Sequence, residues 1–449
     1  MNLLKKSIAY FPGMIILSLI IWPDYELNLR EFRFPVIKIG GFSIRMTEIV
    51  FMGMLLMLLS WKIAITLIKK REPAKKTEGL LHLLSFKNRY MKYVSVSIIF
   101  LLATSFVSGV LKNNPYVLLD IRGLIGILFL PMFFYSLNSI DHIVKVVRVL
   151  YWLLFIMAIG NMVTTLGNWS PFFGVVNNVT IIMNFYLFCL ALSFLIYRQG
   201  KFINNLFVLF VALISSLATL AKFMILAIFI AILVSILLTL LISKFKALKY
   251  VVFFLFMFSL IIALFSLTDL TGVFIKKNLG QFNISNFQEY IDTRLLREDV
   301  GDMSGGRFEI WQLVLKEISK NPVLGNGLGE RAMIVEELEN KFGEYVGVHN
   351  LILWMLIRIG FLGALLLLIA FIRIFRIGID CLKNEEQAVN RALLHSQMIF
   401  ILGYLSINMV SLFFFIFEPA IIFWSSLAIL FYLYKISLTR ADAASPLLQ

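Results

Sequence analysis

The residues of this sequence that could do chemistry are one histidine and several basic side chains. His349 is one of only four histidines in 449 residues, and it stands with Asn350 where a long polar segment meets the apolar run "LILWMLIRIGFLG". Arg122, Lys222 and Arg307 stand near the ends of apolar runs or within that polar segment. Arginine forks and lysine charges suit phosphate and diphosphate groups, and a histidine with an ordinary pKa of about 6.5 suits proton transfer. This combination predicts a site that breaks a diphosphate ester.

Neither a metal nor a nucleotide is expected at such a site. No HExxH motif, no DxD-like acidic pair and no Cys/His cluster accompanies the basic residues. The segment "LGNGLGE", residues 324–330, is rich in glycine, but it follows no strand and lacks the Lys-Ser/Thr pair of a P-loop. It predicts a turn in which backbone segments approach closely. The sequence therefore predicts no metal and no cofactor.

Each of these residues also has a simpler explanation. Basic side chains near helix ends commonly extend to the membrane surface, and a histidine or asparagine at a helix start commonly caps the helix. Arg358 lies nine residues after His349, about 13 Å along a helix and half a turn away in angle. A partner such as Glu418, or extension to the membrane surface, would account for it. The presence of several cations and one histidine on one face favours a site.

The composition assigns the chain to the membrane proteins. Hydrophobic residues make up 60% of it, whereas soluble domains contain about 45–50%. The formal net charge of +15 is explained by lysines and arginines in cytoplasmic loops, so no nucleic-acid partner is expected. The lipid bilayer is the expected environment.

The elements that must position these residues are transmembrane helices. A span needs about 20 mostly apolar residues, and the sequence contains about twelve such runs. They lie near 8–22, 47–68, 93–111, 116–137, 144–166, 171–197, 203–219, 222–243, 249–267, 349–372, 392–416 and 419–436. The fold class predicted is all-α, a polytopic integral membrane protein.

The charges between the spans predict the orientation of the chain. Lysine and arginine are concentrated in alternate connections, beginning with Lys5 and Lys6 before the first span, and such connections face the cytoplasm. Both termini are then cytoplasmic, and the outer face carries the long loop 268–348 and His349. The predicted organisation has four parts. Spans 1–9 lie in residues 1–267 and are followed by the long loop 268–348 with amphipathic helices. Spans 10–12 lie in residues 349–440, and residues 441–449 form a disordered cytoplasmic tail.

Several motifs in one order resemble the signature of the O-antigen ligase/polymerase superfamily, which includes Wzy-type polymerases and WaaL-type ligases. That signature contains an Arg and a Trp, then Pro-x-x-Gly-x-Gly, then His-Asn before a span with Gly-x-x-Gly. The matching residues are Arg307, Trp311, Pro322, Gly325, Gly327, His349, Asn350, Gly360 and Gly363, with Gly174, Asn177 and Asn178 further upstream. The motif-bearing region covers roughly 170–372. Lys222 departs from the pattern, since the family usually has an arginine there, which adds a bidentate fork.

The resemblance implies a GT-C-like helical enzyme that uses an undecaprenyl-diphosphate-linked oligosaccharide on the periplasmic face of the bacterial inner membrane. It implies that Arg307 and Lys222 hold the diphosphate and that Arg122 assists them. His349 then accepts the proton of the acceptor hydroxyl or positions that hydroxyl, and Asn178 and Asn350 orient the sugar or cap helices. A chain-length regulator protein is the partner implied for a polymerase.

Three functions remain open from the sequence. A polymerase joins the glycan to another lipid-linked repeat unit, and it is favoured because Leu351 follows His-Asn, where ligases often carry an acidic residue. A ligase joins the glycan to lipid A-core. A transporter or flippase of lipid-linked glycans also suits about twelve spans, but transporters usually show repeated halves and broken helices near the midplane.

Overall fold

A computed structural model describes about half of the chain. The described residues are 37–39, 42–44, 89–114, 117, 124, 127, 130, 133–134, 137, 139–167, 178–218, 222–243, 307–329, 350–409 and 417–444. His349 and Arg122 lie outside them, as do the predicted spans at 8–22, 47–68 and 249–267.

Nearly all of the described chain is helical. In chain order the helices are α1 (Arg89–Leu111), α2 (Ile140–Gly167), α3 (Asn178–Ile196), α4 (Phe202–Ala218), α5 (Lys222–Ser243), α6 (Arg307–Ile318), α7 (Leu351–Asn384), α8 (Ala388–Ile407) and α9 (Phe417–Ala444). Three helical stretches in the described residues are long and apolar enough to cross a membrane, namely Ile140–Met162, Leu351–Asn384 and Ala420–Ser437. The protein is therefore a helical membrane protein.

A short hairpin departs from the predicted all-α class. Strand β1 (Ile37–Ile39) pairs antiparallel with β2 (Phe42–Ile44), and Ile37 lies opposite Ile44. Isoleucine and phenylalanine favour strands, and the sequence between the two strands is Gly-Gly, which is typical of a two-residue hairpin connection. The segment "VIKIGGFSI" carried this signal, and the all-α prediction missed it.

Helices α3, α5 and α8 pack side by side in the core, and a buried histidine fixes their register. His395 of α8 hydrogen-bonds through Nδ1 with Oγ of Ser193 on α3 (2.8 Å) and through Nε2 with Oγ of Ser235 on α5 (3.3 Å). Eight residues later, Gly403 of α8 faces the ring of Phe185 and the carbonyl of Ala227. As residue numbers rise along α8, those of its partners fall. Helix α8 therefore runs antiparallel to α3 and α5.

Helices α2 and α4 extend this packing. Tyr151 Oη of α2 donates to Asn205 Oδ1 of α4 (3.0 Å), and Asn161 Nδ2 donates to Ser215 Oγ (3.1 Å). Residue numbers rise together on the two helices, so α2 and α4 are parallel. Asn184 Nδ2 of α3 also donates to Ser215 Oγ (2.8 Å). Such interhelical bonds between small polar side chains stabilise helix contacts in a membrane by about 0.6–2 kcal/mol each.

Helix α7 is broken within its first third. Its 34 residues would span about 51 Å, well beyond the roughly 30 Å of a hydrocarbon core. At Gly360 the backbone leaves the helical region, with φ 69° and ψ −177°. The part after the break, residues 361–384, is about 36 Å long and suffices to cross a bilayer. The predicted span 349–372 contained this break and ended twelve residues too early.

The ends of two other helices also differ from the predicted boundaries. Helix α8 ends at Ile407, with Asn408 as its C-cap, whereas the span was predicted to continue to residue 416. Helix α9 continues to Ala444, so residues 441–444 are helical although they were predicted as part of a disordered tail. Three of these four residues are alanine, the residue with the highest helix propensity.

Candidate functional site

Three of the predicted site residues lie at one end of the bundle. Gly403 lies against Phe185 and Ala227, so these three residues are at the same level along the bundle. The rise per residue of an α-helix then gives the distance of each helix end from this level. Asn178 begins α3 about 10 Å above Phe185, and Lys222 begins α5 about 8 Å above Ala227. Asn408, at the end of α8, lies about 8 Å above Gly403. Asn350 is bonded to this end of α8.

Asn350 is the N-cap of α7. Its Oδ1 accepts from the backbone N–H of Leu353 (3.0 Å), and its Nδ2 donates to the carbonyl of Met409 (2.9 Å). The N–H of Leu351 donates to the carbonyl of Asn408 (2.8 Å). The capping role that the sequence left open for Asn350 is therefore observed.

Lys222, Asn178 and Arg307 share one backbone position. Each is the first residue of a helix, α5, α3 and α6 respectively. The first N–H groups of a helix lack partners within it, and the helix dipole favours negative charge there. A diphosphate near these starts would meet the N–H groups and the dipole of the helix N-termini. The backbone placement is thus compatible with the predicted anion-binding roles.

Residues 321–329, called the glycine loop below, fill the break in α7. The N–H groups of Asn326 and Gly327 donate to the carbonyls of Ile357 (2.7 Å) and Arg358 (3.2 Å). In return, the N–H groups after the break donate to the loop, Phe361 to Pro322 (2.8 Å) and Leu362 to Val323 (3.2 Å). The loop therefore supplies the hydrogen bonds that the interrupted helix lacks, as a low-dielectric environment requires.

Glycine is required where the loop and the helix meet. Gly325, Gly327 and Gly360 have φ of 75°, 99° and 69°, a region that side chains disfavour. A Cβ on Gly325 would lie 2.5 Å from the carbonyl carbon of Arg358, and one on Gly360 would meet the carbonyl of Val323. The predicted turn with close backbone approach is confirmed. The Pro-x-x-Gly-x-Gly and Gly-x-x-Gly motifs meet here.

Helix α1 holds the other side of the glycine loop. Ser105 Oγ donates to the carbonyl of Arg358 (2.8 Å), and the Ser105 carbonyl accepts from the N–H of Leu328 (2.9 Å). At the end of α1, Lys112 Nζ donates to the carbonyl of Asn326 (3.0 Å), and Asn114 Nδ2 donates to that of Leu328 (2.9 Å). Sequence reasoning missed these residues, because a contact across more than 200 residues leaves no local pattern.

Arg358 contacts an aromatic ring. Its guanidinium carbon lies 4.6 Å from the ring centroid of Trp354, and the residue is only 5% exposed. The side chain is thus buried in a cation–π contact. The expected extension to the membrane surface is wrong.

Among the described residues, no group of three or more His, Cys, Asp and Glu side chains could hold a metal ion.

What the structure defines is a helical membrane protein with several predicted site residues at one end of its bundle. The family model described as O-antigen ligase matches residues 207–368. This match confirms the resemblance to the O-antigen ligase/polymerase superfamily. It includes Lys222, Arg307, the glycine loop and Asn350, whereas Arg122 and Asn178 precede it. No curated protein matches the chain significantly.

Proposed function

We propose that this protein is a metal-independent glycosyltransferase that polymerises undecaprenyl-diphosphate-linked repeat units into an O-antigen or a related surface polysaccharide. The observation that carries the proposal is the family match over 207–368, together with the common end of the bundle at which Asn178, Lys222 and Asn350 lie. The reaction takes place on the periplasmic face of the bacterial inner membrane. Both termini lie in the cytoplasm.

The reaction is a displacement at the sugar C1. An acceptor hydroxyl oxygen forms the new bond to C1, the bond from C1 to the diphosphate oxygen breaks, and undecaprenyl diphosphate leaves with the bonding electron pair. The hydroxyl proton passes to His349. Lys222 and Arg307, with Arg122, stabilise the negative charge that develops on the leaving diphosphate. Asn178 orients the sugar, and Asn350 holds the start of α7 beside His349.

The surroundings of Leu351 favour polymerase over ligase. Its side chain is buried, and its N–H is bonded to the carbonyl of Asn408. An acidic residue at this position, as in many ligases, would place a carboxylate in a buried environment, at a high free-energy cost. Ligase activity toward lipid A-core is the second candidate, because polymerases and ligases share the family.

The test is glycan assembly by the purified protein in lipid vesicles. Undecaprenyl-diphosphate-linked repeat units are supplied with and without lipid A-core, and the lipid-linked products are separated by size. We expect longer lipid-linked chains without lipid A-core. A product that forms only when lipid A-core is present would replace the polymerase assignment with that of a ligase. Movement of unaltered lipid-linked units between leaflets, without glycan joining, would indicate a flippase.

A further inference from the structure

We propose that Ser105 is a positioning residue of this site, although it lies on α1, about 100 residues before the region that matches the family. Ser105 fastens the glycine loop to the break in α7, and so sets the helix that begins at Arg307 relative to the segment that begins at Asn350. The inference rests on the proposed function for its catalytic consequence. The fastening of the glycine loop by Ser105 can be measured independently of any activity.

Ser105 contacts both parts of the junction at once. Its hydroxyl donates to the carbonyl of Arg358, just before the break, and its own carbonyl accepts from Leu328 in the glycine loop. The residue is 5% exposed. Without the hydroxyl, the Arg358 carbonyl keeps the longer bond from the N–H of Gly327 (3.2 Å) but loses the shorter one, and buried surroundings offer no water to replace it. Removal of the hydroxyl therefore weakens the contact between α1 and the broken helix.

The backbones of α1 and the glycine loop also touch beside Ser105. A Cβ on Gly327 would lie 2.8 Å from the N of Gly109, and a Cβ on Gly109 would meet the carbonyl of Leu328. Asn114 and Lys112 add their bonds to the loop carbonyls at the end of α1. This side of the loop is thus shaped by α1, which explains how a helix outside the family match bears on the site.

The junction connects both halves of the predicted catalytic machinery. The helix α6 begins at Arg307 and leads directly into the glycine loop. The segment 350–359 is bonded to Asn408 and Met409 at its start and to the loop at its end. Displacement of the loop would therefore move the start of α6 at Arg307 relative to the start of α7 at Asn350. Displacements of about 1 Å can lower a rate by roughly 100-fold.

The first experiment measures this geometry by pulsed electron paramagnetic resonance. Spin labels are attached to Leu315→Cys on α6 and Ile372→Cys on α7, both about half exposed, whereas the native Cys189 and Cys381 are buried. Ser105→Ala is compared with Thr104→Ala, a hydroxyl deletion one residue away whose hydroxyl bonds only to Leu101 of its own helix among the described contacts. We expect a broader distance distribution for Ser105→Ala alone.

The second experiment measures kcat and KM for the lipid-linked donor with the same variants. Ser105→Ala is expected to lower kcat roughly tenfold and to leave KM within about twofold, because positioning acts on the transition state. Ser105→Thr, which keeps the hydroxyl, should restore the rate. Asn114→Ala removes the bond to the Leu328 carbonyl from a residue that follows α1, and should lower kcat about threefold.

The outcomes separate this inference from the proposed function. A narrow, unchanged distance distribution in Ser105→Ala would overturn the fastening role. A broadened distribution with wild-type kcat would overturn the positioning role, while an active wild type would leave the proposed function standing. A wild type that transfers no glycan, with the broadening still confined to Ser105→Ala, would contradict the proposed function but not the fastening role.

Discussion

At the residue scale, Asn350 shows how one side chain can secure a site without taking part in the reaction. It caps α7 through Oδ1 and binds the end of α8 through Nδ2. The sequence predicted that His349 and Asn350 open an apolar helix, and it allowed Asn350 a capping role. The second bond was not predictable, because Met409 lies 59 residues away.

Substitutions of Asn350 should separate these two bonds. Asn350→Ala removes both and should lower the free energy of unfolding by about 2 kcal/mol. Asn350→Ser keeps a capping oxygen and should lose only about 1 kcal/mol. Thermal unfolding in detergent, followed by circular dichroism, measures the difference. Equal losses in the two variants would show that the cap contributes nothing.

Lys222 is the predicted site residue that departs from the family pattern. If it binds the diphosphate, Lys222→Gln should lower kcat/KM for the lipid-linked donor by about 100-fold, whereas Lys222→Arg should retain activity within about fivefold, because the charge is kept. Lys201→Gln provides the control, since Lys201 is exposed at the start of α4, the opposite end of the bundle. A Lys222→Gln variant as active as Lys201→Gln would exclude the diphosphate role.

At the element scale, the lengths of apolar runs predicted helix boundaries well, but they did not predict a break in the backbone. The runs 203–219 and 222–243 predicted α4 and α5 almost to the residue, because polar or basic residues bound them. The break at Gly360 lies inside an apolar run that only Arg358 interrupts. The glycine loop, more than 30 residues earlier, supplies backbone hydrogen bonds to the break, and hydropathy does not report such a contact.

Two glycines with similar backbone angles test how much the close approach of the glycine loop to Gly360 contributes to stability. Gly360 and Gly200 have φ of 69° and 79°, but a Cβ on Gly200 would meet nothing closer than 3.7 Å, whereas one on Gly360 would collide with Val323. Gly200→Ala should cost about 1–2 kcal/mol for the left-handed backbone alone. Gly360→Ala should cost more than about 3 kcal/mol. Similar unfolding free energies for the two variants would refute tight docking of the loop.

At the scale of the whole molecule, the buried contacts of α8 set which helix ends come together. His395 bridges α3 and α5, and the antiparallel course of α8 brings its end to the starts of those helices. The charge distribution predicted that these starts share one face, and the register shows Asn178, Lys222 and Asn350 at one end. The identity of the bridging residue could not be read from the sequence, since a lone histidine in an apolar helix indicates no particular partner.

The proposed reaction needs no metal ion, and chelation tests this directly. Its charge stabilisation comes from Lys222, Arg307 and Arg122. Glycan assembly in vesicles treated with EDTA and then freed of the chelator should proceed within about twofold of the untreated rate. Loss of activity that added Mg²⁺ or Mn²⁺ restores would show that the basic side chains do not suffice.

We propose that glycosyl transfer occurs at this end of the bundle, with His349 accepting the acceptor proton. The most direct test compares His349→Ala with His142→Ala in the vesicle assay. His142 lies at the start of α2, and because α2 is parallel to α4, this start is at the opposite end of the bundle. We predict that His349→Ala lowers the rate by at least about 100-fold and that His142→Ala leaves it unchanged. A His349→Ala variant that extends glycans at the wild-type rate would contradict the account.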